Sequence, residues 1–278
     1  MSNPFEILER TCISFSGGRT SAYMLWRILQ AHGGKLPDDA IVCFANTGKE
    51  DEETLKFVYN CQIHWNVDIV WLEYQAHDDS KQRFKVVNFQ TASRNGEPFE
   101  AVIRQRNYLP NPVTRFCTAE MKIRTIHKYL KSIGWDDHNE NSDWIGIRAD
   151  EPRRAAKFAR ERIPLVVAGI GKSDVGNFWR NQSFDLGLPN FNGVTYHGNC
   201  DLCFLKGESQ TRSLIAEKPE RAIWWAKMEA LALALASKPS GARFRKDRDS
   251  YQKMMEYAQD QIPMFDNPDE SIDCLCGE

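Results

Sequence analysis

Short apolar runs alternate with amphipathic stretches through the first third of the chain. Thr11 to Phe15 is a β-prone run that ends in a Ser-Gly-Gly turn. Ser21 to Leu29 then carries apolar residues at helical spacing: Ala22, Leu25, Trp26 and Leu29. Ala40 to Ala45 is a second apolar run, followed by Asn46-Thr47-Gly48 and a helical stretch from Glu52 to Cys61. Val67 to Leu72 predicts a third strand. Short apolar runs separated by amphipathic helices predict βαβ units and a parallel sheet.

The middle is less regular. Asp78 to Asn111 is polar with scattered apolar residues, and reads as an insertion with one strand at Phe84 to Phe89. Thr118 to Ile133 predicts a helix, Trp144 to Ile147 a strand and Arg153 to Arg162 a basic helix, followed by another apolar run at Ile163 to Ala168. Past Phe191 the texture changes. A Gly/Cys-rich turn at Gly198 to Gly207 leads into helices near Ser209–Glu217, Pro219–Ser237 and Lys246–Gln259, with Pro219 suited to a first helical position. The pattern predicts an α/β fold with a mostly parallel sheet over residues 1–206. A helical C-terminal region with a cysteine-containing tail follows over 207–278.

Composition narrows the function classes. The chain has 278 residues, enough to bury a core without a disulfide scaffold. Lys and Arg total 36 against 38 Asp and Glu, so a strongly basic whole-chain signature is absent while local basic patches remain open. No apolar stretch is long enough for a membrane-spanning helix, and the first ten residues lack a signal-peptide pattern. A cytoplasmic location without membrane partners is expected. Eight cysteines then read as thiols, metal ligands or redox groups rather than disulfides.

The strongest local signal is Ser14-Phe15-Ser16-Gly17-Gly18-Arg19-Thr20-Ser21. A strand ends, two glycines allow a tight turn and close backbone approach, hydroxyls follow and a helix begins. That geometry aims backbone N–H groups and a helix N-terminus at an anion such as phosphate. An ordinary strand–turn–helix corner capped by Thr20 or Ser21 is the alternative. Gly169-Ile170-Gly171-Lys172-Ser173 only half-matches a phosphate-binding P-loop, because Val166 stands where the first glycine is required.

The Ser-Gly-Gly-x-x-Ser loop after the first strand resembles the PP-loop of the adenine nucleotide α-hydrolase superfamily. Three later segments resemble its phosphoadenosine or adenosine phosphosulfate (PAPS/APS) reductase branch. They are Thr47-Gly48 with Glu53-Thr54, Trp144 to Glu151 with Arg153 and Arg154, and Ile163-Pro164-Leu165 with Asp174-Val175 and Phe178-Trp179. Together they span residues 11 to 206 in the family's order. The resemblance implies a doubly wound sheet with ATP or PAPS/APS at the C-terminal ends of the strands. Its implied ligands are Ser16, Gly17, Gly18, Arg19, Thr20, Ser21, Asn46, Thr47 and Gly48, with Arg148 as a distal phosphate or sulfate clamp. Many PP-loop enzymes have Asp where this chain has Thr20, which leaves the loop less acidic.

Cys200-Asp201-Leu202-Cys203 is a Cys-x2-Cys pair on the Gly-rich turn, able to chelate one metal or bind two irons. Cluster-bearing APS reductases have Cys-Cys in the segment resembling Arg115 to Thr118, where Cys117 matches the first and Thr118 replaces the second. The resemblance thus implies a [4Fe–4S] cluster on Cys117, Cys200, Cys203 and one tail cysteine, Cys274 or Cys276. Zinc on the same thiolates, with His197 as a further ligand, and plain reduced thiols are the alternatives. The tail also resembles the mobile C-terminal segment that carries the nucleophilic cysteine of sulfonucleotide reductases, so Cys276 and Cys274 are the catalytic candidates. It lacks that family's following histidine. Cys12, Cys43 and Cys61 fall in the predicted strands and helix and are expected in the core. His32, His64, His77, His127 and His138 show no ligand spacing and carry no assigned role.

Three readings follow from the resemblance. The first is an ATP-using sulfur or nucleotidyl transferase that adenylates a substrate oxygen, with nucleic acid as an acceptor class. The second is a sulfonucleotide reductase in which a tail thiolate attacks the sulfur of PAPS or APS and a thioredoxin-like donor reduces the product. The third is a nucleotide-binding accessory protein without turnover. Basic residues around Arg104–Arg124, Arg148–Arg162 and Arg243–Arg248 read either as a nucleic-acid footprint or as solvated helix faces.

Overall fold

The computed structural model describes residues 3–139, 142–191, 194–235 and 242–260; Cys274 and Cys276 lie outside the described residues. Four strands run parallel: β1 (Thr11–Phe15), β2 (Ala40–Asn46), β3 (Ile69–Glu73) and β5 (Trp144–Ile145). β4 (Lys85–Val87) joins the edge antiparallel to β3, giving the order β4-β3-β2-β1-β5. The chain moves outward from β1 to β2 and β3, then returns to the other side of β1 with β5. That reversal makes the β1/β5 crevice the topological switch point, where open α/β sheets bind ligands at the carboxyl ends of the strands.

Alternation along the central strands sorts side chains to two buried faces. Ile13, Phe15, Val42, Phe44, Ile69 and Trp71 share one core with α1 (Arg19–Ala31), α2 (Glu52–Trp65) and α7 (Lys172–Arg180). Cys12, Cys43, Ala45 and Leu72 point to the opposite face, where Ile126 and Leu130 of α4 (Arg124–Ser132) cover them. Helices on both faces make the sheet doubly wound. Asp51 starts α2 by accepting a hydrogen bond from the Glu53 N–H at 3.1 Å, with Glu52 and Glu53 favourable in the first turn.

A third core lies off the sheet. Phe99, Val102 and Ile103 of α3 (Glu97–Arg106) pack there with Phe116, Met121, Leu202, Phe204 and Leu205. Side chains of α8 (Glu208–Glu217), α9 (Glu220–Leu235) and α10 (Tyr251–Asp260) complete it. The helices beyond Gly207 therefore share a core with α3 and the Cys200–Cys203 turn.

Several elements differ from the sequence expectation. Residues Thr118–Ile123 form a π-helical segment rather than the first turns of one α-helix. The expected basic helix at 153–162 is split into α5 (Pro152–Ala155) and a 3-10 turn at Arg160–Arg162. The apolar run at 163–168 is a short helix, α6 (Pro164–Val167), because Pro164 fits a helix start and cannot donate to a ladder. A small hairpin, β6 (Asn190–Phe191) and β7 (Val194–Thr195), precedes the cysteine turn. No helix among the described residues is long and apolar enough to cross a membrane.

Candidate functional site

The loop between β1 and α1 has the expected strand–turn–helix form. Gly17 sits at φ +80°, and a Cβ there would lie 2.8 Å from Thr54 Cγ2 and 3.2 Å from the Phe44 ring. Only glycine meets both demands, so the turn can lie flat on β2 and α2. Gly18 precedes the first turn of α1 in extended conformation, without a side-chain cap on the helix. Ser16 and Ser21 close the loop: their hydroxyl oxygens are 2.9 Å apart, the Ser16 N–H donates to Ser21 Oγ at 3.2 Å and Ser21 Oγ donates to the Gly18 carbonyl at 3.0 Å.

The loop forms one wall of a narrow recess of about 20 Å³ whose other walls include Glu50, Lys122, Thr195 and Asn199. Lys122 comes from the π-helical segment, and Asn199, at φ 61°, from the turn just before Cys200. These four residues have no motif of their own. Glu50 comes from the loop after β2, bonded to Thr47, whereas Lys122, Thr195 and Asn199 reach the recess through long-range packing that nothing in the sequence marks.

Across the switch point, Gly146 follows β5 with its Cα against α1. A Cβ there would lie 2.8 Å from Ser21 Cα, so glycine permits the close approach. Two residues on, the Arg148 guanidinium donates to the Thr20 hydroxyl at 3.2 Å and to Asp150 at 3.0 Å. Arg148 thus stands at the Thr20 end of the loop, with Glu151 also 3.7 Å from its Nε. Arg19 does not face the recess: its Nε and one terminal nitrogen form a fork on Asp185 at 2.7 and 2.6 Å, and it also donates to Thr195 Oγ1 and the Leu188 carbonyl.

Asn46, Thr47 and Gly48 build the neighbouring loop. Asn46 is fully buried, donates to Glu73 and the Ser93 carbonyl, and accepts from the Gly48 N–H. Thr47 is tied to the Glu50 carboxylate, and its hydroxyl lies 3.4 Å from Cys200 Sγ. The cysteine turn docks on this loop. Glu50 and Cys200 form a β-bridge, the Asp201 N–H donates to the Lys49 carbonyl, and buried Lys49 Nζ sits 3.0 Å from Asp201, which also accepts from the Trp225 indole. Burial, with Glu50 and Cys203 nearby, pushes the Cys200 thiol well above its usual range, against the pull of Lys122 and the Thr47 hydroxyl.

Cys117 begins the π-helical segment, and Cys117, Cys200 and Cys203 pack against the same off-sheet core. Among the described residues, three His, Cys, Asp or Glu ligand atoms come within 4.8 Å of one another at Cys12, His138 and Asp143. Those three thiols therefore do not form a ready site for a single ion by themselves. A multi-iron cluster is not bound by that limit, because its thiolates bind different irons, and an all-thiol donor set suits it. His197 is turned to Glu217, at 2.7 Å.

A second recess lies on the other side of the π-helical segment. Arg83, Arg106, Arg124 and Lys128 surround the single carboxylate of Glu120 in a cavity of about 420 Å³. Burial, with Arg83 and Arg124 nearby, lowers the Lys128 pKa despite Glu120.

No family model matches the chain. Over 203 residues it is 32% identical to the uncharacterized nin region protein ORF290 of Escherichia phage lambda, a match covering 70% of this chain and 65% of that protein. The chain thus spans just under two thirds of the length of this curated relative.

Proposed function

We propose that the chain binds an adenine nucleotide, with phosphate in the Ser16–Ser21 loop, and uses it for ATP-dependent sulfur or nucleotidyl transfer. The observation that carries this reading is the recess beside the Ser16–Gly18 loop. There a glycine turn without a side-chain cap, a lysine and the cysteine turn converge from separate parts of the chain. The loop amides and Lys122 supply donors for phosphate oxygens, and Arg148 stands at the Thr20 end. A [4Fe–4S] cluster on Cys117, Cys200, Cys203 and a tail cysteine would supply sulfur or electron chemistry beside the nucleotide. The four cations around Glu120 support an anionic acceptor such as nucleic acid, because Glu120 offsets only part of their charge.

One observation favours sulfonucleotide reduction as the second reading. Thr20 itself brings no carboxylate to the loop and accepts from the Arg148 guanidinium, which Asp150 and Glu151 also hold at that end.

Calorimetry with ATP, APS and PAPS tests the proposal. Gly17 is unsuitable as the probe, since its replacement disturbs packing on Thr54. Ser16→Ala and Lys122→Met are better. Each removes a contact of about 1.5–3 kcal/mol where the contact is charge-assisted, so Lys122→Met is expected to weaken binding by about tenfold or more. Preference for ATP supports transfer and preference for PAPS or APS supports reduction. Binding without turnover assigns the accessory role. Failure of wild-type protein to bind any of the three overturns the reading.

A further inference from the structure

The face of the sheet covered by α4 carries a second constellation, at the opposite end of the strands from the recess. Cys12 is the second residue of β1 and fully buried. The β1/β5 register pairs Ile13 with Trp144, which sets Asp143 beside Cys12 on the neighbouring chain segment. His138, in the turn after α4, brings an imidazole that is 2% exposed. One ligand atom from each of the three lies within 4.8 Å of the other two. Nothing in the spacing of 12, 138 and 143 marks them as a set; the fold assembles them.

We propose that Cys12, His138 and Asp143 hold a divalent transition-metal ion, with Zn²⁺ the class that fits. The donors are one thiolate sulfur, one imidazole nitrogen and one carboxylate oxygen, a combination that zinc accepts and that Mg²⁺ and Ca²⁺ do not. One thiolate and one carboxylate cancel the charge of a dication, so the loaded site is neutral in a layer lined by Ala45, Leu72, Ile126, Leu130 and Trp135. His138 Nε2 now sits 2.6 Å from Asp143 Oδ1. The ion replaces that contact, and the Cys12 S–H proton leaves to solvent as the metal–sulfur bond forms.

His127 on α4 completes the arrangement as a positioning residue. Its Nε2 lies 3.2 Å from the other carboxylate oxygen, Oδ2, and fixes the direction of Oδ1. Arg162 Nε donates to the Asp143 carbonyl and holds the same backbone. An ion here ties the starts of β1 and β5 to the turn after α4. The far ends of those two strands carry the Ser16–Ser21 loop and Arg148. The inference is independent of any nucleotide chemistry.

The test uses full-length protein in which Cys117, Cys200, Cys203, Cys274 and Cys276 are all serine, so that only buried thiols remain. Titration with Co²⁺ is expected to give one equivalent bound, with a thiolate-to-cobalt charge-transfer absorption. Cys12→Ala in that background is expected to abolish the absorption, and His127→Gln to weaken binding about 10- to 100-fold. X-ray absorption on the zinc-loaded five-serine protein needs no further variant. One sulfur at about 2.3 Å with nitrogen and oxygen neighbours at about 2.0–2.2 Å supports the site. A shell of nitrogen and oxygen alone, absence of stoichiometric Co²⁺ binding, or charge-transfer absorption that survives Cys12→Ala overturns it.

Discussion

Arg19 shows how a residue placed correctly in a motif can serve another end. It follows the two glycines of the loop, where a cation suggests phosphate contact. Its side chain instead runs under the loop to Asp185, Thr195 and Leu188. This fork joins the start of α1 to the segment that leads toward the cysteine turn. Lysine at this position keeps the charge but cannot make the planar two-bond contact. Arg19→Lys is therefore expected to cost about 1–3 kcal/mol of stability in urea unfolding and to leave nucleotide affinity within about twofold. A tenfold or greater loss of affinity at unchanged stability would make Arg19 a phosphate ligand after all. Thr20 and Arg148 are the opposite case. The motif proposed both, and the fold sets them 3.2 Å apart although 128 residues separate them.

At the scale of elements, the region after Gly207 is held by buried polar contacts as well as by apolar packing. Glu229 of α9 is buried and accepts a hydrogen bond from the Tyr251 N–H at 3.0 Å, at the start of α10, with Arg243 Nε at 3.6 Å. Burial raises its pKa, and the Tyr251 N–H and Arg243 only partly oppose this. The sign follows from linkage. A carboxyl with a raised folded-state pKa costs nothing below its unfolded value, about 4.3, and the cost of ionising it grows as pH rises through the folded value. Glu229→Gln keeps an acceptor for Tyr251 and removes the titration. The melting temperature of Glu229→Gln relative to wild type is thus expected to rise between pH 4 and pH 7. A difference that is flat or falls across that range would show that Arg243 holds the carboxylate ionised at no cost.

Elements also show where reading the sequence succeeds and fails. β1 was legible to the residue, and β2 nearly so, because these central strands are mostly apolar and end at glycine or Asn-Thr-Gly turns. α3 was not legible. Its Phe99, Val102 and Ile103 sit at helical spacing, but Glu97-Pro98 and a polar exposed face disguise a helix that depends on packing against α9. The π-helical segment was invisible for another reason: one residue more per turn leaves the apolar pattern almost unchanged over Thr118–Ile123 while redirecting Lys122.

At the scale of the whole molecule, the candidate site divides by range. The glycine loop, Thr47-Gly48 and the Cys-x2-Cys turn were legible because each is a local motif. Lys122, Thr195 and Asn199 were not, because the fold alone brings them to the loop. Cys12 reads from the sequence as a core residue and His138 as a histidine without ligand spacing, and nothing marks Asp143, since 126 positions separate Cys12 from His138.

The tail offers the decisive measurement between the two enzymatic readings, because the two roles make opposite demands on a thiol. A cluster ligand must stay fixed, whereas the nucleophile of a sulfonucleotide reductase must reach sulfur and then meet an external reductant. Cys274 and Cys276 are two residues apart, so one chain end can serve either role or divide them. Truncation after Ser271 removes both and leaves the Ser16–Ser21 loop, Lys122 and the Cys200–Cys203 turn in place. In the transferase reading, anaerobically purified truncated protein is expected to lose iron, sulfide and the associated visible absorption, while its ATP affinity stays within about twofold. In the reductase reading, nucleotide affinity is also kept, but sulfite release from PAPS or APS with a thioredoxin-like donor falls to background whatever the iron content. Truncated protein that matches full-length protein in iron, nucleotide affinity and every measured turnover would remove the tail from the chemistry, leaving nucleotide binding at the Ser16–Ser21 loop as the role proposed for Ser16 and Lys122.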